Sequence, residues 1–230
     1  MSIYRTNFDA AYTGPLGTGV ARRGTLSGDS PAYRFVKRTL DITVSSVALA
    51  LLAPVFAAIA VAVAIDSRGS IFYSQVRVGK GGRSFAFHKF RSMVVDADRI
   101  KAELEGENEA AGPIFKMKSD PRVTRVGRFL RRTSLDEIPQ FWNVLRGDLS
   151  LVGPRPHLPS EVAEYPDSAE SRLSVVPGLV CYREVGGRSN LTFEQWIALD
   201  LEYVRNRSLR TDLSILMRAV PAILRGEGAY

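Results

Sequence analysis

Cysteine and histidine are scarce in this sequence of 230 residues, which contains one cysteine, Cys181, and two histidines, His88 and His157. A single cysteine cannot form a disulfide within the chain, and it fits a reducing compartment. With so few nitrogen and sulfur ligands, a zinc site is not expected. There are also no internal repeats, and no apolar core or cleavage pattern of a signal peptide follows the first charges. These absences argue against disulfide-stabilised, zinc-dependent and repeat proteins.

The charge balance points to an anionic partner. The net charge is +7 and the isoelectric point is about 9.7, which fits a nucleotide, a lipid head group or a nucleic acid. A nucleic-acid surface would need aromatic residues interleaved with basic ones, and no such set surrounds Arg188. We therefore expect no nucleic-acid partner. Residues 1–32 are rich in Gly, Ser, Thr and Ala without periodicity, which predicts a disordered tail.

One long apolar run covers residues 42–65 and is long enough to span a bilayer. A buried core helix is the alternative, although soluble helices of this length usually carry a polar stripe. Pro54 divides the run into halves of about 12 residues, each about 18 Å long as a helix, and neither half alone crosses a hydrocarbon core of about 30 Å. Basic residues flank both ends, and short basic flanks favour the cytoplasm. We therefore predict a re-entrant membrane helix, bent at Pro54, over residues 33–66.

The rest of the chain, residues 67–230, shows mixed patterns that predict an α/β domain, mainly α, with short strands. Residues 70–79 and 84–91 are typical of two strands, and the glycines between them favour a hairpin turn over a phosphate loop, because the Walker spacing is absent. Helical patterns cover residues 94–109, 161–173 and 193–224, and a further strand is predicted over residues 179–185. Amphipathic helices in this set could lie on a membrane surface or pack on the core.

The stretch from Arg131 to Pro156 combines three features. Two adjacent carboxylates, Asp136 and Glu137, follow a basic pair. A short amphipathic segment ends at Gly147, and Arg155 is then held between two prolines. Cations, carboxylates and a stiff backbone are what a phosphoryl-transfer site needs.

A purely structural interpretation of the carboxylates is also open. Ser134 and Glu137 have the spacing of a capping box, which satisfies free backbone donors at the start of a helix. Asp136 would then be an ordinary acid in the first turn, favoured by the helix dipole. The helix could begin near Asp136 or near Pro139, with Gly147 just past its end.

Several pieces of the sequence together resemble the bacterial sugar transferases, the monotopic phosphoglycosyl transferases that begin exopolysaccharide and glycan assembly on polyprenyl phosphate. The resemblance runs from about Tyr33 to the C-terminus. No spanning segments precede it, which makes the chain similar to the short enzymes that start succinoglycan-type polysaccharides. The matching pieces are Lys37-Arg38 with Asp41, residues 89–93, residues 134–137, residues 143–148, residues 150–156, Pro177-Gly178, Gly187-Arg188, and Asp200 with Tyr203.

The resemblance implies a reaction and a place in the cell. A sugar 1-phosphate would pass from a UDP-sugar to undecaprenyl phosphate with release of UMP, through a covalent aspartyl phosphosugar intermediate and with Mg²⁺. Asp136 and Glu137 would be the catalytic and metal-binding residues. The enzyme would act at the cytoplasmic face of the bacterial inner membrane. Whether it forms a homodimer is left open. The residues implied in substrate binding are Lys89, Arg91, Arg131, Arg155 and Arg188.

The sequence departs from the family pattern at two places. The family bends its re-entrant helix at a Ser-Pro pair, whereas this chain has Ala53-Pro54 and lacks the serine hydroxyl. After Pro177-Gly178 the family continues with Thr, Gly and a later Gln, where this chain has Val180, Cys181 and Glu184. The second departure motivates an alternative function: an inactive, membrane-anchored scaffold of a polysaccharide assembly complex.

Overall fold

The computed structural model describes residues 30–109, 115, 117, 119–182 and 192–224. Within these ranges the chain is mainly helical with a few short strands, as the sequence predicts. Of the predicted disordered tail, residues 1–29 lie outside the described residues, as does Arg188, whereas Pro31 and Ala32 already belong to a helix. The helices are α1 (Pro31–Leu51), α2 (Ala53–Asp66), α3 (Ala97–Glu103), α4 (Arg125–Arg132), α5 (Gln140–Arg146), α6 (Pro159–Ala163), α7 (Phe193–Asn206) and α8 (Leu209–Leu224), and the strands are β1 (Phe72–Val78), β2 (Ser84–Phe90), β3 (Ser150–Val152) and β4 (Gly178–Val180).

The apolar run forms a bent pair of helices, α1 and α2, which meet at an angle of 61°. The break falls at Leu52, and Pro54 lies in the first turn of α2, where its missing N–H leaves no hydrogen bond unmade. The predicted bend is therefore confirmed. Within the described ranges no single helix is long and apolar enough to cross a membrane. Taken together, the two helices of the bent pair have the length and the apolar composition of a membrane segment. Large apolar side chains are exposed on both arms: Phe35, Leu40, Ile42, Val44, Val47, Leu51, Val55, Val61 and Ile65.

Helix α2 is fixed to the rest of the domain by aromatic contacts near its start and by a polar contact at its end. The ring of Phe56 lies 4.6 Å from that of Phe90, which in turn stacks on Phe72 at 5.3 Å. Offset aromatic pairs of this kind add to the stabilisation from buried area. The carboxylate of Asp66 accepts a hydrogen bond from the backbone N–H of Val126 at 3.0 Å, at the start of α4. The apolar arm is thus attached directly to the hairpin and to α4.

The start of α1 is attached through polar side chains. The guanidinium of Arg38 donates to the carbonyls of Val144 and Leu145, both at 2.6 Å, and so caps the C-terminus of α5. A cation at this position is favoured by the helix dipole. Asp41 is buried and accepts a hydrogen bond from the N–H of Leu151 at 2.9 Å. The residues of the predicted Lys-Arg-x-x-Asp motif therefore join the bent helix to α5 and β3.

Strands β1 and β2 form the predicted antiparallel hairpin, in a register that runs from Phe72 opposite Phe90 to Val78 opposite Ser84. The connecting turn contains Gly81 at φ 67°, a left-handed backbone that glycine adopts without strain. On its other edge β2 is held by α5, because the side-chain amide of Asn143 donates to the carbonyl of Ala86 and accepts from the N–H of His88. The hairpin places Lys89 beside α5.

Strands β3 and β4 form a parallel pair within the main hydrophobic core, beside α5, α7 and α8. The pair approaches so closely that a Cβ atom on Gly178 would lie 2.0 Å from the backbone nitrogen of Gly153. Only glycine fits there. This contact explains why Pro177-Gly178 lies against the loop that carries Arg155.

Three predicted helices differ from the structure in their limits. The helix predicted over residues 161–173 is replaced by α6 and a separate 3₁₀ segment, Asp167–Ser174, because Pro166 lacks an N–H and restricts the residue before it. The helix predicted over residues 193–224 is two helices, separated at Arg207, which has an extended backbone. The charged helix near residue 94 is confined to α3 and a short 3₁₀ turn.

Candidate active site

The two carboxylates lie on a 3₁₀ turn, Leu135–Glu137, between α4 and α5. Ser134 precedes them with φ 56°, in the left-handed region, and its side chain caps no backbone donor. A non-glycine residue in this conformation is uncommon and costs about 1–3 kcal/mol, a strain that concentrates at functional sites. The capping-box interpretation is therefore wrong. The later helix begins after Pro139, and Gly147 ends it with φ 88°, as predicted.

Glu137 is held by two cations. One of its oxygens, Oε1, accepts hydrogen bonds from Lys89 Nζ at 2.7 Å and from Arg155 Nη2 at 2.8 Å. Burial alone would raise the pKa of this carboxyl, but the positive charges of Arg155 and Lys89 outweigh burial and hold the pKa well below its usual range. Glu137 is thus ionised at neutral pH, and its geometry is fixed by β2 on one side and by the loop after β3 on the other.

Asp136 has a different environment from its neighbour. It is 6% exposed, and its Oδ2 lies 3.8 Å from Lys89 Nζ, so among the described residues it accepts no hydrogen bond. Burial raises the pKa of Asp136, the charge of Lys89 opposes this, and the charge of Glu137 raises the pKa further. The result is a desolvated carboxylate that has a long ion pair with Lys89 and no hydrogen bond from the described residues.

The remaining predicted substrate-binding residues are placed differently. Arg131 lies in the last turn of α4, and its charge lowers the pKa of Asp136. Its Nη1 atom is buried without a hydrogen-bond partner in the described part of the chain. Arg91 is directed elsewhere: its Nη2 donates to the carbonyl and hydroxyl of Ser67, at 2.6 and 2.9 Å, at the end of α2. The structure therefore brings Lys89, Arg131 and Arg155 to the carboxylates and does not show Arg91 bonded to them.

The loop that carries Arg155 is fixed by its own backbone carbonyls. Each carbonyl from Pro154 to His157 accepts a hydrogen bond from a different part of the chain, although the two prolines of the loop offer no N–H. The pairs are Pro154 with the N–H of Gly178 (2.8 Å), Arg155 with Arg172 Nη2 (3.0 Å), Pro156 with Arg77 Nη1 (3.3 Å), and His157 with the N–H of Val78 (3.0 Å). Such a loop holds the guanidinium of Arg155 in place before any substrate binds.

One of these donors, Arg172, fixes the loop of Arg155 and was not identified from the sequence. Its side chain is 3% exposed and pairs with Asp200, which is 1% exposed. Arg172 also contacts His157 Nδ1 at 3.2 Å. Two sequence signals concern its partner: Asp200 is one of the pieces that match the family, and it shares a helical face with apolar residues of α7, where a carboxylate needs a partner.

The carboxylates fit a magnesium ion. Neither Asp136 nor the second oxygen of Glu137, Oε2, accepts a hydrogen bond from any described residue. Mg²⁺ prefers one or two carboxylates completed by water and substrate phosphate. Across the described ranges there is no group of three or more His, Cys, Asp or Glu side chains that could hold a metal ion. A cage made only of protein ligands is thus not seen in this part of the chain, and the open carboxylate oxygens suit a metal shared with substrate.

Comparison with known proteins identifies the family. A family model described as bacterial sugar transferase matches residues 32–226, and the chain belongs to this family. The chain is 41% identical over 199 residues to the galactosyl transferase CpsE of Streptococcus agalactiae, covering 86% of this chain and 44% of that protein. It is 40% identical over 201 residues to the undecaprenyl-phosphate galactose phosphotransferase of Salmonella typhimurium, covering 86% of this chain and 42% of that protein.

The relatives fall into two length classes. The chain spans less than half the length of the two relatives above. It is also 38% identical over 204 residues to the exopolysaccharide production protein ExoY of Rhizobium meliloti, and here the match covers 87% of this chain and 90% of that protein. The region matched by the family model, residues 32–226, contains α2 to α8, all of α1 except Pro31, and every carboxylate and cation of the site described above. The family resemblance inferred from the sequence motifs is therefore confirmed.

Proposed function

We propose that this protein is a phosphoglycosyl transferase that moves a sugar 1-phosphate from a UDP-sugar to undecaprenyl phosphate. This lipid carrier appears in the name of the Salmonella typhimurium relative. One observation carries the proposal beyond the family name. Two adjacent carboxylates have opposite environments: Glu137 is held by Lys89 and Arg155, whereas Asp136 is buried and free of hydrogen bonds from the described residues. This division suits one positioning carboxylate and one nucleophile.

In the first step, an oxygen of Asp136 attacks the β-phosphorus of the UDP-sugar. The bond from this phosphorus to the bridging oxygen breaks, UMP leaves with the bonding electrons, and an aspartyl phosphosugar remains. Lys89, Arg131 and Arg155 surround the carboxylates with positive charge and stabilise the diphosphate as negative charge moves to the leaving group. Bound Mg²⁺, held by Asp136 or Glu137, would neutralise phosphate charge.

In the second step, a phosphate oxygen of the lipid acceptor attacks the same phosphorus, and the bond to Asp136 breaks. The product is a polyprenyl diphosphate sugar, and the carboxylate is regenerated. The acceptor is supplied by a membrane, so we also propose that α1 and α2 form a re-entrant helix on the cytoplasmic face of the inner membrane. The bend at Leu52 and the exposed apolar side chains of both arms support this placement.

The test uses the full chain in membranes with undecaprenyl phosphate and a panel of UDP-sugars, beginning with UDP-galactose and UDP-glucose. UMP release identifies the donor. In the absence of acceptor, the protein should gain the mass of one sugar phosphate, and the kinetics should be ping-pong, with UMP released before the acceptor binds. Asp136→Asn keeps the shape of the side chain and should abolish both turnover and adduct.

The controls separate catalysis from folding. Because Asp136 is a desolvated carboxylate to which no described residue donates a hydrogen bond, Asp136→Asn should not lower the melting temperature. Glu137→Gln should lose activity and should also be destabilised, because it leaves Lys89 and Arg155 without their shared charge. Turnover of Asp136→Asn near the wild-type rate would refute the covalent mechanism. Wild-type protein that releases no UMP from any donor would favour the scaffold alternative.

A further inference from the structure

A cavity lies at the end of α5 opposite to the carboxylates. Its volume is about 230 Å³, and it is bounded by the first turns of α1, the loop after α5 and the end of α7. Helix α5 has seven residues, which is roughly 10 Å of helix, and the carboxylates precede its first turn. The cavity is therefore separate from the candidate active site, and it has room for several water molecules or a small anion.

The lining of this cavity is strongly cationic. Five basic side chains contribute to it, Arg34, Lys37, Arg38, Lys80 and Arg207, against one carboxylate, Asp41. Cations still outnumber acids when Asp212, which pairs with Lys37 at 2.7 Å, is counted. Like charges gathered around one cavity repel each other and attract an anion.

The carboxylate in the lining is already engaged. Asp41 accepts hydrogen bonds from the hydroxyl of Ser150 at 3.1 Å and from the N–H of Leu151 at 2.9 Å. Lys80 is exposed at the edge of the cavity, and none of the described residues forms a hydrogen bond or ion pair with its ammonium group. The positive charge is therefore not balanced within the lining.

The position of the cavity selects the kind of anion. Its lining residues from Tyr33 to Asp41 belong to the same helix, α1, as the exposed apolar side chains of Phe35, Leu40 and Ile42. Val175, Val176 and Leu149 add apolar surface beside the cations. An amphiphile could place a charged phosphate in the cavity and its chains along α1.

We infer that this cavity binds the phosphate group of an anionic ligand that is not consumed in the reaction, with membrane phospholipid as the favoured source. The inference rests on the proposed membrane placement of α1 and α2. Such a ligand would hold the polar start of α1 against the C-terminus of α5 through the charges of Arg34 and Lys80. Its binding would stabilise the bent helix without contact with the carboxylates.

The test measures retention of phosphatidylglycerol by the full chain. Protein in nanodiscs of phosphatidylcholine with a minor share of phosphatidylglycerol is released into detergent, and bound lipid is counted by native mass spectrometry. The double variant Arg34→Ala with Lys80→Ala should retain phosphatidylglycerol about 25-fold more weakly, at about fivefold for each charge removed. The matched control, Arg99→Ala with Lys101→Ala on α3, removes the same charge elsewhere and should retain it like wild type.

A second arm distinguishes the source of the phosphate. Inorganic phosphate and glycerol 1-phosphate are titrated into delipidated protein in neutral detergent. Binding of either, lost in the double variant, supports a site for a phosphate group supplied from solution. Binding of phosphatidylglycerol alone supports the lipid. No binding of any of the three, or an equal loss in the control variant, overturns the inference.

Turnover separates this inference from the proposed function. If wild-type protein releases UMP but retains no phosphate ligand, the inference fails and the function stands. If it retains phosphatidylglycerol but releases no UMP, the function fails. A raised KM for undecaprenyl phosphate in the double variant, with phosphatidylglycerol retention unchanged, would assign the cavity to the acceptor and overturn the inference.

Discussion

The buried ion pair between Arg172 and Asp200 should control catalysis through the orientation of Arg155. Arg172 bridges the carboxylate of Asp200 and the carbonyl of Arg155, while the guanidinium of Arg155 donates to Glu137. Removing one partner of a buried pair leaves a buried charge uncompensated and costs about 3–5 kcal/mol. Misplacement of a catalytic group by about 1 Å costs about 100-fold in rate. Asp200→Asn should therefore lower both stability and turnover.

The chain contains a matched control for the loss of stability. Arg122 and Asp120 form another buried pair, with both side chains 6% exposed and 2.6 Å between Nη2 and Oδ2, and no hydrogen bond of Arg122 reaches the loop of Arg155. Asp120→Asn should lower the melting temperature like Asp200→Asn. At a temperature where both variants are folded, only Asp200→Asn should lose turnover, by about 10- to 100-fold.

A milder change tests the same connection without the risk of unfolding. Arg172→Lys keeps the charge opposite Asp200 but loses the planar fork that reaches two acceptors at once. Its kcat/KM for the UDP-sugar should fall at least about tenfold. In a double-mutant cycle with Arg155→Ala, the second substitution should add little, because both remove the same interaction. Additive losses of kcat/KM, or equal losses in Asp200→Asn and Asp120→Asn, would refute the reasoning.

Three further predictions follow from the fold and the site. Arg155→Lys keeps the charge but loses the bidentate grip on a diphosphate, so it should lose most activity at an unchanged melting temperature, and near-full turnover would contradict this role. Single cysteines at Thr39 and Ser67, in a background without the native cysteine, should react with an impermeant label from the same side of the membrane, and labelling from opposite sides would exclude the re-entrant topology. Gly178→Ala should lower the free energy of unfolding by about 1–3 kcal/mol or more, measured by denaturant, because its Cβ would meet β3, whereas Gly106→Ala, which meets nothing within 4 Å, should be near neutral.

Local chemistry in the sequence was enough to predict several elements. Alternating residues and clustered glycines located the β1–β2 hairpin, Pro54 located the bend, and Gly147 located the end of α5. Each of these depends on the conformational preference of one or two residues, which tertiary contacts did not override. The helix predicted over residues 161–173 is interrupted for the same kind of local reason, because Pro166 restricts the residue before it.

The arrangement of the site depended on contacts that no local pattern encodes. Ser134 and Glu137 have the spacing of a capping box, and only the fold shows that Lys89 and Arg155, distant in sequence, bind the glutamate instead. The role of Arg172 could not be predicted either, since its partner Asp200 lies 28 residues away. Lys89 and Arg91 are predicted to share one face of a strand, yet β2 ends at Phe90 and the fold directs Arg91 toward α2.

The aromatic contact between α2 and the hairpin has a consequence for lipid dependence. Phe90 packs on Phe56 of the apolar arm, and the residue directly before it, Lys89, donates to Glu137. In the proposed topology, a change in the tilt of α2 would be transmitted to the Lys89 ammonium group through the contacts of Phe56 with Phe72 and Phe90. A bilayer of different thickness changes helix tilt. The acyl-chain length of the lipids would therefore alter the turnover rate through the tilt of α2, without contact between any acyl chain and a reacting group.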